Sequence, residues 1–216
     1  PDKYIWMKEI LEDAEYYLSN DEVIQHYEAV CCYILKAFIL KNTKNISTKA
    51  RVAEFKRYCI EDLCVFLELE MTLLILFLKN DSAVQEIFKK LQLKADKLID
   101  KIHNTAWDIF HIRLLEQSTL LDCIENQDVI YLHYFATADS GLAEVLRANP
   151  IKMLVYYNEK VIPIRRYDAK DFFTQDELDS YTTEEKIRLR AEKVQGIDFC
   201  SIKQRLSSEL GDLLTN

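Results

Sequence analysis

The scarcity of glycine and proline is the feature that most constrains how this chain can fold. Its 216 residues include only three of each, namely Gly141, Gly196, Gly211, Pro1, Pro150 and Pro163. Gly and Pro are the residues that most often form tight turns, so their scarcity argues against an all-β fold with many tight turns. Apolar residues make up 49% of the chain and charged residues 30%, which is a globular composition. Long helices around a buried core are therefore expected.

The beginning of the chain has helical periodicity. Residues 4–18 place apolar side chains on one face, and residues 21–41 carry a second apolar stripe behind an Asn-Asp cap. A polar loop follows, and Ser47 or Thr48 is expected to cap a third helix. Residues 1–60 are thus predicted to form a helical hairpin region.

The stretch 61–78 allows two interpretations. It continues the third helix, or it forms a strand at 63–67 followed by a helix, because periodicity does not separate these in so short an apolar run. Residues 71–78 are the most hydrophobic run, but they are far fewer than the roughly 20 residues that span a bilayer. We interpret them as core. Two more helices are expected, over 82–103 and 105–124.

The pattern changes after residue 125. The run VIYLHYFATADSGL (129–142) is rich in β-formers and ends in turn-forming residues. The later elements expected are a helix at 142–148, strands at 152–157 and 160–167, and helices at about 175–195 and 201–214. The fold predicted is mostly helical, α+β or α/β. It has an α/β segment with a small, mainly parallel sheet at 61–174 and a helical tail at 175–216, or all of it forms one compact domain.

Cysteine usage indicates a reducing compartment. The six cysteines form no C-x-x-C pair and mostly lie among apolar neighbours; they are Cys31, Cys32, Cys59, Cys64, Cys123 and Cys200. No signal peptide is recognisable, so we expect reduced, mostly buried thiols in a soluble cytoplasmic protein. Their spacing is a poor match to a zinc site.

Charge and motifs narrow the function classes. The net charge is −8 with a pI near 5.1, which argues against a protein that holds nucleic-acid backbone through a basic face. A nuclease stays open, because carboxylates around a divalent metal make a site acidic. The sequence has no Gly-rich phosphate loop, no G-x-S-x-G and no H-E-x-x-H, which disfavours P-loop enzymes, α/β-hydrolases and zincins.

Two carboxylates stand out in the second half. Asp108 lies one helical turn before His111, and Asp139 follows Thr137 at the end of an apolar predicted strand. Ligands of α/β sheets bind outside the carboxyl ends of the strands. Carboxylates that converge there could hold Mg²⁺ or Mn²⁺, which prefer oxygen ligands.

Four segments carry a resemblance to a known family. They are CVFLELEMTLLIL (64–76), DIFHIRLLEQ (108–117), YFATADSGLAEVL (134–146) and KVIPIRRYDAKDFF (160–173). Together they resemble the PIN-like nuclease superfamily: an opening strand, a helix bearing an acidic residue, a T-x-D strand end and a closing acidic-Phe helix start. The opening segment departs from that pattern, because the family's strand normally ends in Asp followed by a small hydroxyl residue.

The resemblance implies a metal-dependent phosphodiesterase that acts on RNA. The metal-binding carboxylates that it implies are Asp108, Asp139 and Glu68. Thr137 would orient Asp139, Glu70 lies two residues beyond Glu68, and Glu86 is the best match to the remaining acidic position. Glutamate is one methylene longer than the family's aspartate, so Glu68 would shift the metal from its usual position, and this departure counts against nuclease activity.

Other interpretations remain open. Asp139 also suits a turn or N-cap, Asp108 suits the first turn of a helix, and the glutamates at 68 and 70 suit a solvated edge. The alternative function is a non-catalytic interaction module, or an inactive PIN-like relative, with helices 4–18 and 21–41 binding a protein partner. The nuclease requires a strand at 63–67 beside 131–137, with Glu68 within about 6 Å of Asp139.

Overall fold

Helices build nearly all of the protein, which a computed structural model describes over residues 21–125, 140–157 and 160–215. The mostly helical prediction is confirmed. In chain order the elements are α1 (Asp21–Asn42), α2 (Thr48–Arg57), a π-helical turn (Tyr58–Asp62), α3 (Glu68–Leu78), a 3-10 turn (Ser82–Val84), α4 (Gln85–Phe88), α5 (Leu98–Glu125), α6 (Ser140–Ala148), β1 (Ile151–Tyr157), β2 (Lys160–Arg165), a 3-10 turn (Ala169–Asp171), α7 (Gln175–Thr182), α8 (Glu184–Val194) and α9 (Phe199–Thr215).

Helix α1 is the centre of the core. It packs against α9, α5 and α3, and its residues 29–35 and 37–40 are buried. In the described part of the chain, Val23–Asn42 is the one helix whose length and composition would allow it to cross a membrane. Neighbouring helices cover much of this span, so packing inside the protein accounts for its apolar composition.

Helix α3 lies deepest in the core. Every residue from Leu69 to Leu78 is buried, which agrees with the interpretation of residues 71–78 as core. The carbonyl of Phe77 near its C-terminal end accepts a hydrogen bond from the Lys41 ammonium. This contact joins the ends of α1 and α3, and the same carbonyl also accepts the backbone N–H of Asn80 at 3.1 Å.

The interpretation of residues 61–78 as a continued third helix is wrong, and the strand-then-helix interpretation is correct only for its helix, observed as α3. The third helix does not continue, and residues 63–67 form an irregular connection instead of a strand. Cys64 has a φ of 55°, which ends the helical path after the π-helical turn. The Tyr33 hydroxyl donates to the carbonyl of Val65 at 2.7 Å, so this backbone group is satisfied without a neighbouring strand.

The two helices predicted at 82–103 and 105–124 are divided differently. A 3-10 turn and the four-residue helix α4 occupy 82–88, and α5 then runs unbroken from Leu98 to Glu125. The Thr105 hydroxyl, expected near a helix start, donates to the carbonyl of Lys101 at 2.8 Å. A threonine that bonds the carbonyl four residues back is compatible with a continuing helix.

The strands form an antiparallel hairpin. The predicted strands are confirmed as β1 and β2, with Val155 opposite Ile162. Two residues separate these strands, and a two-residue link joins antiparallel strands only. The prediction of a mainly parallel sheet is therefore wrong for the described residues, and the PIN-like α/β segment finds no support in them. Residues 126–139, where a further strand was predicted, lie outside the described ranges.

Side-chain contacts attach this hairpin to α5. The Arg165 guanidinium donates to both carboxylate oxygens of Glu116, at 2.8 and 2.6 Å. The Asn149 amide donates to the carbonyl of Tyr167 and accepts from its backbone N–H. Asn149 also follows α6, in agreement with the predicted helix stop at Asn-Pro.

The C-terminal part consists of an arm and a core helix. We name α7 and α8, residues 175–194, the arm. The single helix predicted at 175–195 is divided at Thr183, whose side chain accepts from the N–H of Lys186 and caps α8. Helix α9, predicted at 201–214, packs against α1. The arm has no buried residue of its own.

Candidate functional site

The carboxylate of Glu70, predicted near a metal site, is enclosed in the core. The Glu70 side chain is 0% exposed and forms a bidentate ion pair with Arg113 of α5. Both carboxylate oxygens are occupied by the guanidinium, which leaves little capacity to bind a metal. The pair joins α3 to α5, so the geometry assigns Glu70 a structural contact.

Two other predicted ligands also have partners within the protein. Glu68 begins α3 and accepts the backbone N–H of Ala169 at 2.8 Å. Asp108 lies on α5 and binds the ammonium of Lys90 at 2.9 Å. Glu86, the best match to the family's remaining position, pairs with Lys89. The carboxylates of Glu68, Glu70 and Asp108 therefore each have a different partner.

Two residues of the predicted metal site, Thr137 and Asp139, lie outside the described residues. Across residues 21–125, 140–157 and 160–215, no group of three His, Cys, Asp or Glu side chains is placed to hold a metal ion. The Mg²⁺- or Mn²⁺-dependent nuclease stays a prediction.

The cysteines with described side chains are free thiols. Cys31, Cys32, Cys59 and Cys64 are buried and Cys200 is exposed. Burial raises the pKa of the Cys31 thiol to about 12, which keeps it protonated and unreactive at neutral pH. These thiols behave as small apolar side chains of the core.

A different feature has the shape of a binding site. A cavity of about 430 Å³ lies between the π-helical turn and the arm, within the usual range for small-molecule sites. Its wall on the core side is formed by Ile60, Glu61 and Cys64. Its wall on the arm side is formed by Ser180, Tyr181, Lys186, Leu189, Arg190 and Lys193. We name this cavity the arm pocket.

Unusual backbone forms the core wall of the arm pocket. The N–H of Leu63 donates to the carbonyl of Tyr58, five residues back, which widens the turn. Arg57 forms two hydrogen bonds with Asp62 at 2.8 and 2.9 Å, and this clamp spans the π-helical turn. A π-helical turn and a non-glycine residue with left-handed backbone dihedral angles, here Cys64, are both uncommon, and both are often found at functional sites.

One face of α8 forms most of the arm wall. The lining residues at 186, 189, 190 and 193 follow the i, i+3, i+4, i+7 spacing of one helical face. Three of them are cations, and Leu189 lies between them. The Nη1 atom of Arg190 donates to the carbonyl of Tyr181 at 2.5 Å, which orients the guanidinium at the end of α7.

Contacts beside the pocket attach the arm to the core. The Lys56 ammonium binds the Glu177 carboxylate at 3.1 Å and lies 4.4 Å from the ring centroid of Phe173. The Phe173 ring packs against Phe66 and meets Tyr181 edge to face. A buried phenylalanine and one ion pair thus hold α7 in position.

The pocket is positively charged in an acidic protein. No carboxylate of the described chain lies within ion-pair distance of Lys186 or Lys193. The acidic residue of the lining, Glu61, is itself 4.0 Å from Nη1 of Arg57. Burial, together with the charges of Glu61 and Glu177, raises the pKa of Tyr181. A tyrosine hydroxyl of ordinary pKa is already neutral at pH 7, so Tyr181 is a hydrogen-bond donor there with or without this shift. The arrangement suits an anion.

The sequence reading did not identify this site. The segment KIRLRAEK (186–193) predicts a solvated helix face whose cations pair with Glu184 and Glu185. The solvated face is confirmed, because every residue of the segment but Arg190 is exposed, whereas the ion pair within α8 joins Arg188 to Glu192 at 3.9 Å. The sequence feature that could have indicated the pocket is the helical spacing of Lys186, Arg190 and Lys193, which places three cations on one face. That spacing does not reveal the π-helical turn that faces it.

Comparison of the chain with protein-family models, with curated proteins and with solved structures finds no match. These comparisons neither support nor contradict the PIN-like resemblance. The proposal for function therefore rests on the geometry of the protein itself.

Proposed function

We propose that this protein binds a small anionic ligand in the arm pocket. The observation that carries the proposal is the row of three cations on α8, which lines one side of the arm pocket. Two of these cations, Lys186 and Lys193, have no carboxylate partner among the described residues. Unpaired like charges on one face repel each other, and a bound anion would relieve that repulsion.

The charge of the whole protein strengthens the argument. With a net charge of −8, positive potential at one concave site is a local exception. The same net charge disfavours a long polyanion, whose backbone would extend over acidic surface. A small ligand that lies within the cavity avoids this repulsion.

The test is calorimetric titration of the full chain with inorganic pyrophosphate. We expect binding that weakens as salt is added, and a loss of about tenfold or more in affinity for Lys186→Ala and for Lys193→Ala, because a charged hydrogen bond contributes about 1.5–3 kcal/mol. Arg188→Ala is the matched control, because Arg188 is an exposed cation of the same helix that does not line the pocket.

Two results would contradict the proposal. One is the absence of binding at millimolar pyrophosphate. The other is an equal loss in Arg188→Ala, which would mean that the anion responds only to the general charge of α8. Both lysines are exposed, so these variants are expected to fold.

The nuclease hypothesis predicts a different result with the same protein. It requires cleavage of labelled single-stranded RNA in Mn²⁺ or Mg²⁺, no cleavage in EDTA, and loss of cleavage in Asp139→Asn. Anion binding alone requires none of these. The two assays together distinguish a metal-dependent enzyme from a ligand-binding protein.

A further inference from the structure

The arm pocket combines features that narrow the class of its ligand. We propose that the ligand is a nucleoside oligophosphate, with its phosphate chain along α8 and its nucleoside against the apolar residues of the lining. This inference rests on the proposed function and names the ligand of the same site. It follows from the length of the cationic row, the apolar residues of the lining and the one carboxylate among the lining residues.

The cationic row is longer than one phosphate group needs. Lys186 and Lys193 are seven residues apart, which is about 10 Å along a helix axis, and Arg190 lies between them. A single phosphate group would need only two cations that lie next to each other. A row of this length matches a chain of linked phosphates, each of which carries its own charge.

Arg190 is fixed in place by the protein. One of its amino groups donates to the carbonyl of Tyr181, which leaves the other donors of the guanidinium for a ligand. A planar guanidinium held in this way binds phosphate oxygens in a bidentate manner, whereas the flexible lysines on either side act as point charges. Arg190 would therefore orient the phosphate groups, and the two lysines would add electrostatic attraction.

Part of the pocket lining is apolar. Ile60 and the buried Cys64 belong to the core wall, and Leu189 lies between the cations on the arm wall. A bare polyphosphate is strongly hydrated and would gain nothing from this surface. A ligand with a planar, weakly polar group would bury that group there and could pack against the Tyr181 ring.

The carboxylate of Glu61, in the core wall, selects against a ligand that is anionic throughout. Glu61 is an acceptor, and it would repel a phosphate group placed next to it. It favours hydrogen-bond donors, such as the hydroxyls of a sugar or the amino group of a base. Oligophosphate, donor-bearing sugar and planar base together describe a nucleoside oligophosphate.

The test is titration of the full chain, in EDTA, with three probes: ATP, inorganic tripolyphosphate and adenosine. We expect ATP to bind about tenfold more tightly than tripolyphosphate, and adenosine to bind too weakly to measure. Lys193→Ala should weaken both phosphate probes. Glu61→Gln should reduce the preference for ATP, because a neutral amide oxygen accepts hydrogen bonds more weakly than a carboxylate, and should leave tripolyphosphate binding unchanged or tighter.

The possible failures are distinguishable. Equal affinity for ATP and tripolyphosphate, unaffected by Glu61→Gln, would overturn the nucleoside assignment while anion binding stands. No binding of either phosphate probe would overturn the proposed function itself. Strong binding of adenosine alone would also contradict the inference, because the cationic row would then contribute nothing.

Discussion

The helical core and the arm are stabilised in different ways. In α1 and α3 nearly every apolar side chain is enclosed by other helices, and the one carboxylate inside, Glu70, has a bidentate partner. In the arm no residue is buried, and Ile187 and Leu189 are exposed. The core is held by apolar burial, whereas the arm is held by end caps, one ion pair and the neighbouring Phe173.

The difference bears on where a ligand can act. Segments with few buried contacts open at low free-energy cost, and elements that respond to ligands are drawn from them. The arm pocket has one wall in the rigid core and one wall in the arm. A ligand that contacts both walls would therefore hold the less stable arm in contact with the more stable core.

Breaking the buried ion pair should have the largest effect. Arg113→Met leaves the Glu70 carboxylate without its partner in a fully buried position. Removing one member of a buried pair costs about 3–5 kcal/mol. The free energy of unfolding, measured by urea denaturation with circular dichroism, should fall by that amount.

The double variant Glu70→Leu/Arg113→Met is the control for this prediction. An apolar pair of similar volume removes the unpaired charge, so much of the lost stability should return. A single variant as stable as the native protein would show that the core tolerates a lone carboxylate there. The contrast between core and arm would then lose its strongest support.

Removing one helix cap in the core and one in the arm should have the second largest effect on stability. Ser47 caps α2 through the N–H of Ala50, and Thr183 caps α8 through the N–H of Lys186. Ser47→Ala should lower the free energy of global unfolding by about 1 kcal/mol. Thr183→Ala should leave global unfolding nearly unchanged and instead increase amide hydrogen exchange within α8, as measured by mass spectrometry.

An equal loss of global stability in both cap variants would contradict this separation. It would mean that the arm unfolds together with the core, as one cooperative unit. A ligand at the arm pocket would then stabilise the whole protein and not the arm alone.

Acid should loosen the arm through Glu177. Burial alone would raise the pKa of this carboxyl, but the Thr174 backbone N–H and Lys56 outweigh burial and hold the pKa below its ordinary value of 4.5. A lowered folded-state pKa contributes stability above the ordinary pKa, and that stability is lost as pH falls through the folded pKa. Protection factors of α7 amides should decrease in that acid range, and Glu177→Gln should remove this pH dependence.

Local chemistry made much of the fold predictable. The polar loop before α2, the Ser47 cap and the alternating strands β1 and β2 all depend on neighbouring residues, and the sequence pattern identified them. The burial of residues 71–78 followed from hydrophobicity alone. These elements need no knowledge of distant contacts.

The predictions failed where the structure depends on contacts between residues that are far apart in the sequence. The Tyr33 hydroxyl satisfies Val65 across 32 positions of sequence, which allows an irregular connection where a strand was predicted. The Arg113–Glu70 pair converts a predicted site carboxylate into a core contact. The arm pocket was missed because the wide turn after α2 faces α8 only in the folded chain.

The smallest effect should come from truncating an apolar residue of the arm. Ile187 is 49% exposed on α8 and does not line the arm pocket, so Ile187→Ala should change the free energy of unfolding by no more than about 0.5 kcal/mol. Leu74→Ala in α3 is the matched truncation, and it should cost about 2–5 kcal/mol because Leu74 is fully enclosed. Urea denaturation measures both. A loss above about 2 kcal/mol for Ile187→Ala would place this side chain in a packed interface and show that the arm is stabilised as the core is.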